Sequence, residues 1–559
     1  MCPTVLRSTS ASWRRRAALG LVALVVCLWY TSPVVNLRYL GSAIYWGDVR
    51  LNTWALAWNH HVLTGQATSY WDANIFHPAT GTLAYSEHLF GIALPTLPLH
   101  LLGAGPALVY NLAWLASFPL LVGALFCLTR RAGLGDAGAL AAGLLGACSV
   151  VRIQHVGHLQ LLWIFGLPLG MACLDRWRAD ARARWLVAWG LCVLTASLAS
   201  WYLAVLTIVV HLVWVWPCVW PAVRARAWSR LLSAALAVGS VALVLMVFVQ
   251  PYVGGVSGPV DEVRHNSADW ASYVVPARAT WTGQWLLAQG SDAPRWSFGE
   301  QTRFLGWTVL VLAGAGATLA VRRRAAIRHD LWMALGGVGL VALALSFGPA
   351  AAGGVPWPFD LLRALPGMDL VRAPARFALV VSLVMSAFAG LAVDVLVRRR
   401  RQVVAAAAVA LALVELRPVA YELPPPEPST ISPLYGYLAR LERAPVVSLP
   451  VAWSTPLSWY DADYQWYGTR HWFPIVNGFS RFAPPEYQAR MAAVATFPSD
   501  GALDALCAVG TRYVVAHAQR PFLDFRPAIA VAQDHPRLRV LTRDGEDVLW
   551  ELACLPGRR

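Results

Sequence analysis

Residues 377–416 read FALVVSLVMSAFAGLAVDVLVRRRRQVVAAAAVALALVEL, two apolar runs (377–397 and 402–416) hinged on four consecutive arginines, Arg398 to Arg401. Apolar runs of roughly 17 to 25 residues cross a bilayer as helices. Arginines in short loops between such runs stay on the cytoplasmic side. The stretch therefore reads as a transmembrane hairpin with its hinge inside, and it fixes the direction of everything around it.

The same pattern repeats along the chain. Apolar runs lie at 17–36, 106–129, 135–151, 159–175, 185–200, 201–220, 229–252, 304–321 and 330–348, which with the quoted pair makes eleven expected spans. Arginine clusters punctuate them at Arg14 to Arg16, Arg130 and Arg131, Arg176 to Arg184, Arg224 to Arg230, and Arg322 to Arg328. With eleven spans every cluster falls on one side, so the N-terminus is expected inside and the region after 416 outside. The apolar stretch 88–104 must then be re-entrant or juxtamembrane. Arg14 to Arg16 followed by an apolar run and Gly41-Ser42-Ala43 also resembles a signal peptide, but the parity of the clusters does not require cleavage.

Composition agrees. The 559 residues are 57% hydrophobic and 13% charged, with a mean hydropathy of +0.51, whereas soluble domains carry about 25% charged residues. The net charge of +15 comes from arginine alone, since the chain has no lysine. Nucleic-acid binding would need basic residues gathered on one soluble face. Here they sit between apolar runs, so nucleic acid is excluded as a partner. Seven of the nine cysteines lie in or beside apolar runs and read as buried hydrophobes. Cys507 and Cys554 lie in the polar C-terminal part and can pair if that part is outside the cytoplasm.

The fold class expected is mainly α: a polytopic helix bundle over 1–416 with its first outer loop at 37–105, a Pro-rich linker at 417–430 and an extracytoplasmic α/β domain at 431–559. In that last domain APVVSLPVAW, RYVVAH and LRVLTRDGEDVLWEL read as strands, the third turning at Asp544-Gly545. Helices are expected near 433–443, 484–496 and 500–509.

The outer loops carry the polar residues. In GDVRLNTWALAWNHH (47–61), Leu51, Trp54, Trp58 and Val62 recur at helical spacing, with Gly65 as a stop. This reads as a helix lying in the membrane interface with tryptophans at headgroup depth. Asp48 precedes it, either as an N-cap or as a carboxylate that takes a proton from an attacking hydroxyl. His155 and His158, three apart, are expected to share a helix face, where they bind a metal, touch a donor phosphate or pack. Glu87 and His88 adjoin the re-entrant stretch, facing the same cavity or solvent. Asp72, Asn74, His77 and Pro78 have turn composition, with Asn74 also a candidate for sugar contacts. Arg372 and Arg376, in RAPARF, suit bidentate phosphate binding or headgroup snorkelling. Arg152 and Arg303 are lesser candidates of the same kind. The aromatic run WSTPLSWYDADYQWYGTRHW (453–472) suits stacking on sugars or packing.

The run GDVRLNTWALAWNHHVLTGQATSYWDANIFHPATGTLAYSEHLFG (47–91), with HVGHLQLL (155–162) and RAPARF (372–377), resembles bacterial membrane glycosyltransferases of the GT-C superfamily. Within it, the chain looks most like the branch whose domain is similar to that of lipopolysaccharide core galacturonosyltransferases. The resemblance implies a polyprenyl-phosphate sugar donor, a glycan, lipid or protein acceptor, a place in the bacterial cytoplasmic membrane, and an acidic base in the first outer loop, matched by Asp48. The commoner pattern has two adjacent acids there. Here Gly47 and Val49 flank Asp48, which weakens a metal role; no metal ligand is assigned and a divalent cation stays open. A transporter or lipid flippase is the rival class, and it usually places ionisable residues at mid-membrane, where these runs have almost none. A non-catalytic envelope assembly protein on the same scaffold is the third.

Overall fold

The computed structural model describes residues 4–34, 47–252, 259–295, 300, 302–322, 327–350, 354–365, 367–368, 371–419, 431–451, 459–520 and 523–554. Gly41-Ser42-Ala43, most of the Pro-rich linker and the start of the aromatic run fall outside them. The chain forms two compact units. One comprises Met1–Arg38 and Leu112–Glu422, the other Tyr39–Asn111 and Leu423–Arg559.

The first unit is helical, and each of the eleven apolar runs is overlapped by at least one helix. Among the described residues six helices are long and apolar enough to cross a membrane: Pro106–Arg131, Asp136–Ile153, Trp201–Arg224, Trp228–Tyr252, His329–Ser346 and Pro374–Arg398. Four more, including Ala183–Ala199, Trp307–Val321 and Gln402–Leu416, are apolar but shorter. Lipid offers no hydrophobic drive for helices to associate, so close approach of small residues supplies it. Helix Asp136–Ala147 carries Gly138, Ala142 and Gly146 at four-residue spacing and meets helix Ala378–Arg398 at Gly390. A Cβ on Gly138 would lie 2.7 Å from the Gly390 carbonyl oxygen, and one on Gly390 would lie 2.6 Å from that of Gly138.

Ion pairs engage arginines from five of the six clusters. Buried Asp175 accepts from Arg131 Nε at 2.7 Å and from Arg328 Nη1 at 2.8 Å. Arg178 pairs with Asp330 at 2.5 Å and Arg15 with Asp136 at 3.0 Å. Arg398 reaches Asp394 and the Gly133 carbonyl, while Asp394 also accepts from the Gly135 N–H at 2.8 Å, just before helix Asp136–Ala147. Arginines read from sequence as topology signals thus also lock helix ends together.

The second unit joins the first loop to the C-terminal region. Among the described residues six strands occur in chain order: β1 (Val446–Leu449), β2 (Tyr513–Ala516), β3 (Gln519–Arg520), β4 (Leu523–Asp524), β5 (Leu538–Asp544) and β6 (Asp547–Leu552). The main sheet runs β1-β2-β6-β5. Its first pair is parallel (Val446 opposite Tyr513), and the other two are antiparallel. β5 and β6 form a hairpin through Gly545, whose φ of 58° suits glycine. Cys507 and Cys554 form a disulfide.

Residues 74–77, expected as a turn, pair like a strand. Ile475 N donates to the Asn74 carbonyl at 2.7 Å, His77 N to that of Ile475 and Phe76 N to that of Asn477. The helix Asp48–Leu63 also departs from expectation. It is buried on every face from Val49 to His61 rather than laid in a membrane interface. Its polar residues find partners inside: Arg50 pairs with Asp463 at 3.1 Å, Asn59 donates to the carbonyls of Ala55 and His88, and His60 bonds the Ala93 carbonyl and Thr96. Trp54 and Trp58 donate to Asn74 and the Tyr70 carbonyl instead of to headgroups.

Helix Trp459–Tyr467 packs on this helix and contributes Asp461, which is buried and accepts from Asn477 Nδ2 at 2.9 Å and from the Tyr487 hydroxyl at 3.0 Å. Burial raises its pKa to about 7 despite those two bonds. An unfolded aspartate titrates near 3.9, so between about pH 4 and 7 the folded state holds more protons than the unfolded one and this group's contribution falls as pH rises. Urea melts at pH 5 and pH 8 are expected to show a larger loss of stability in the wild type than in Asp461→Asn, which cannot titrate.

Candidate functional site

Asp48 is the first residue of its helix, and Gly47 (φ 58°, ψ −117°) takes the N-cap position in its place. The N-cap reading is thereby corrected. The chain enters the helix from a left-handed glycine, which leaves Asp48 in the first turn with its side chain exposed. Every residue from Val49 to His61 is buried, so the carboxylate stands on the solvent-reachable tip of an otherwise enclosed helix. That is the placement a proton acceptor needs, since the hydroxyl must come within hydrogen-bond reach.

In the first unit, at the end of helix Ala378–Arg398 away from Arg398, a polar cluster forms. Pro374 opens a single 3-10 turn, Pro374–Phe377, which turns Arg376 inward. Arg376 Nε donates to Glu300 Oε1 at 2.8 Å, and its guanidinium lies 4.2 Å from the centre of the Tyr202 ring. Arg303, fully buried, donates to the other Glu300 oxygen, to Gln154 Oε1 at 3.0 Å and to the carbonyls of Thr302 and Ala375. Burial works to raise the Glu300 pKa, but the two guanidiniums outweigh it and hold the carboxyl well below its usual range. Two buried guanidiniums thus contact the same carboxylate.

His155 lies against the same charges. It is buried, and burial pushes its pKa well below the ordinary value against the pull of Glu300. No described residue bonds its Nε2, nor Gln154 Nε2, nor the Thr302 hydroxyl. Polar atoms buried without partners cost about 1 to 3 kcal/mol each. A ligand with several acceptor oxygens would meet the Gln154 and Thr302 donors and the guanidinium charge together.

The remaining sequence candidates separate. His155 and His158 do not share a helix face, because the helix Val150–Ile153 ends before them and the next, Leu159–Leu162, starts after. Their rings meet edge to face at 5.4 Å across a turn. Arg372 is half-exposed, bonded to Glu262 at 2.9 Å, while its backbone N–H donates to the Tyr202 hydroxyl. Arg152 spends its guanidinium on the carbonyls of Ala147, Ser117 and Leu162 inside the bundle. In the second unit His88 is buried, its Nδ1 bonded by Tyr70 and the Phe90 N–H, and burial lowers its pKa to about 3. Glu87 beside it is half-buried. Asn74 accepts from Trp54 and donates to the Phe473 carbonyl at 3.1 Å, a structural bond. Among the described residues no group of three or more His, Cys, Asp or Glu is placed to hold a metal. Glu300 was not singled out from sequence; the available signal was an acid three residues before Arg303 at the outer start of a span.

Comparison with solved structures places the fold. The arabinofuranosyltransferase AftD from Mycobacteria aligns with a TM-score of 0.56 at 16% identity, covering 97% of this chain and 42% of that one. The chain therefore spans about two fifths of that protein's length. ArnT from Cupriavidus metallidurans, solved bound to undecaprenyl phosphate, gives 0.49 at 14% identity over 96% and 97% of the two chains. The oligosaccharyltransferase AglB from Archaeoglobus fulgidus, solved with an inhibitory peptide and a dolichol-phosphate, gives 0.48 at 12% over 89% and 69%. The AftD alignment shows a shared fold. No curated protein matches the sequence. Residues 17–417 match the family described as Domain of unknown function (DUF6311), and since this is most of the chain, the protein belongs to that family.

Proposed function

We propose that the chain is a membrane glycosyltransferase that moves one sugar from a polyprenyl-phosphate carrier to a cell-envelope acceptor at the outer face of the bacterial cytoplasmic membrane, with inversion. The observation that carries this reading is the buried cluster in which Arg303 and Arg376 both contact Glu300, beside the buried Gln154 Nε2 and Thr302 hydroxyl that no described residue bonds, an arrangement that suits a lipid-linked phosphate. Arg376, with His155 and His158 beside it and Arg372 at the rim, holds that phosphate and stabilises the charge it gains as it leaves. Asp48 takes the proton from the acceptor hydroxyl, which attacks the anomeric carbon opposite the phosphate. His88 and Asn74 support the base's helix through Asn59 and Trp54, and Glu87 is assigned to substrate contact.

The fold shared with an arabinofuranosyltransferase supports this class over a transporter. The Cys507–Cys554 disulfide supports an extracytoplasmic C-terminal region, since disulfides persist in oxidising compartments. With the arginine-rich ends inside, the eleven helical segments then run as spans with the N-terminus in and the C-terminus out. Mass analysis of envelope glycans and glycolipids in a strain lacking the chain tests the reading. One sugar residue is expected to vanish from one class of molecule and to return with the wild-type chain; an unchanged envelope contradicts it.

A further inference from the structure

Beside helix Trp201–Arg224 lies a cleft of about 690 Å³, walled by Leu212, Val213, Trp216 and Trp220 on that helix and by Met333 and Gly337 on helix His329–Ser346. The first four fall at positions i, i+1, i+4 and i+8, one face of a 3.6-residue helix. The walls are mostly apolar, and both helices are long and apolar enough to cross a membrane. Trp216 is 61% exposed, so the cleft opens outward, where lipid lies around a spanning bundle. Left empty, such a groove forfeits the dispersion contacts of its lining. Its volume is within the roughly 300 to 1,000 Å³ of ligand clefts, and a lipid chain is the material at hand to fill it.

The charged members of the cleft, Arg178 of helix Gly166–Asp180 and Asp330, pair at 2.5 Å. Their charges act on Cys218, so they stand near the Arg224 end of helix Trp201–Arg224. Gly337 sits deeper, where a Cβ would lie 3.5 Å from the Val213 side chain. Arg178 bonds Asp330 through Nη1 alone; no described residue bonds its Nε or Nη2, and the side chain is 25% exposed. Asp330 also lies 3.6 Å from Arg328, which shares Asp175 with Arg131. Among the described residues three guanidiniums therefore serve two carboxylates. A fourth, exposed Arg224, stands 5.2 Å from the centre of the Trp220 ring, and that ring stacks on Trp216 with centroids 4.5 Å apart. The mouth of the cleft thus favours an anion, and the open edge of Arg178 presents paired donors that suit phosphate oxygens.

We propose that this cleft is a site for an anionic phospholipid of the leaflet at the Arg224 end of helix Trp201–Arg224. Arg178 holds the phosphate, Arg224 adds charge beside it, and one acyl chain runs between the two helices past Trp216 to Gly337. Basic pockets between spanning helices select headgroups in this way, while the apolar walls take the chain whatever its headgroup. The proposal requires that the chain cross a bilayer; it stands apart from sugar transfer.

Native mass spectrometry of the full chain in detergent, with phosphatidylglycerol or phosphatidylcholine of identical acyl chains as probes, tests it. Phosphatidylglycerol is expected to bind more tightly than phosphatidylcholine. Arg178→Gln is expected to weaken phosphatidylglycerol about fivefold, the effect of one arginine near an anionic headgroup, and to leave phosphatidylcholine unchanged. Asp330 keeps Arg328 in that variant, so no carboxylate is stranded. Arg224→Gln alters an exposed side chain and is expected to act in the same direction with an unchanged melting temperature. Gly337→Leu fills the cleft and is expected to weaken both lipids. Arg526→Gln, whose pair with Asp524 lies in the second unit, controls for net charge and is expected to bind like the wild type. So is Asp48→Asn, which separates lipid binding from transfer. Equal binding of the two lipids by the wild type, or phosphatidylglycerol binding unaltered in both Arg224→Gln and Gly337→Leu, would overturn the proposal.

Discussion

Asparagine in place of Asp48 is expected to slow sugar transfer by roughly a hundred- to ten-thousandfold, the range a positioned general base contributes, while leaving the protein folded in the membrane. The two halves of that expectation have separate physical grounds. The side chain is exposed, with Gly47 rather than Asp48 at the N-cap, so the near-isosteric amide opens no cavity in the packed part of the helix. Exposed substitutions away from such features usually change stability by no more than about 0.5 kcal/mol. Chemistry depends on the carboxylate, because an amide oxygen is too weak a base to accept the hydroxyl proton. Transfer measured in membranes, alongside the melting temperature of the purified variant, separates the two. Full activity in Asp48→Asn removes it from catalysis.

The second large effect belongs to Glu300. Replacing it by glutamine leaves Arg303 and Arg376 without the carboxylate that both contact, and breaking a buried pair from one side costs about 3 to 5 kcal/mol. A marked fall in melting temperature is expected. If the two guanidiniums are there to receive phosphate, a high concentration of inorganic phosphate should raise the melting temperature of Glu300→Gln more than that of the wild type, since the anion takes over the missing charge. Sulfate-free chloride at equal ionic strength serves as the control. Equal shifts in both proteins would mean that the cluster is only a structural ion pair.

The bundle was readable because the signals that set it are local. Apolar runs such as 377–397 and the arginines that follow them act within a few residues of themselves, and helices overlap those runs. The helix Asp48–Leu63 was read correctly as a helix with Gly65 after it, yet its environment was misjudged. Its polar face looked solvent-directed until partners about 400 residues away, Asp463 and the rest of helix Trp459–Tyr467, were brought against it. Periodicity reports which face is apolar; it does not report what covers the other one. The same limit hid Glu300, whose meaning depends on Arg376, and separated His155 from His158, where spacing suggested a helix that the chain does not make. Arg372 and Arg376 are four apart in sequence, but one 3-10 turn sends Arg376 into the cluster and leaves Arg372 at the edge with Glu262.

Everything in this account requires the carboxylate of residue 48 to face the compartment where lipid-linked sugars meet their acceptors. Asp48→Cys in a background without the other free cysteines, treated with a membrane-impermeant maleimide in right-side-out membrane vesicles, measures this directly. Labelling in sealed vesicles, unchanged by permeabilisation, is the predicted result. Labelling that requires permeabilisation would place the residue on the cytoplasmic side and contradict the account.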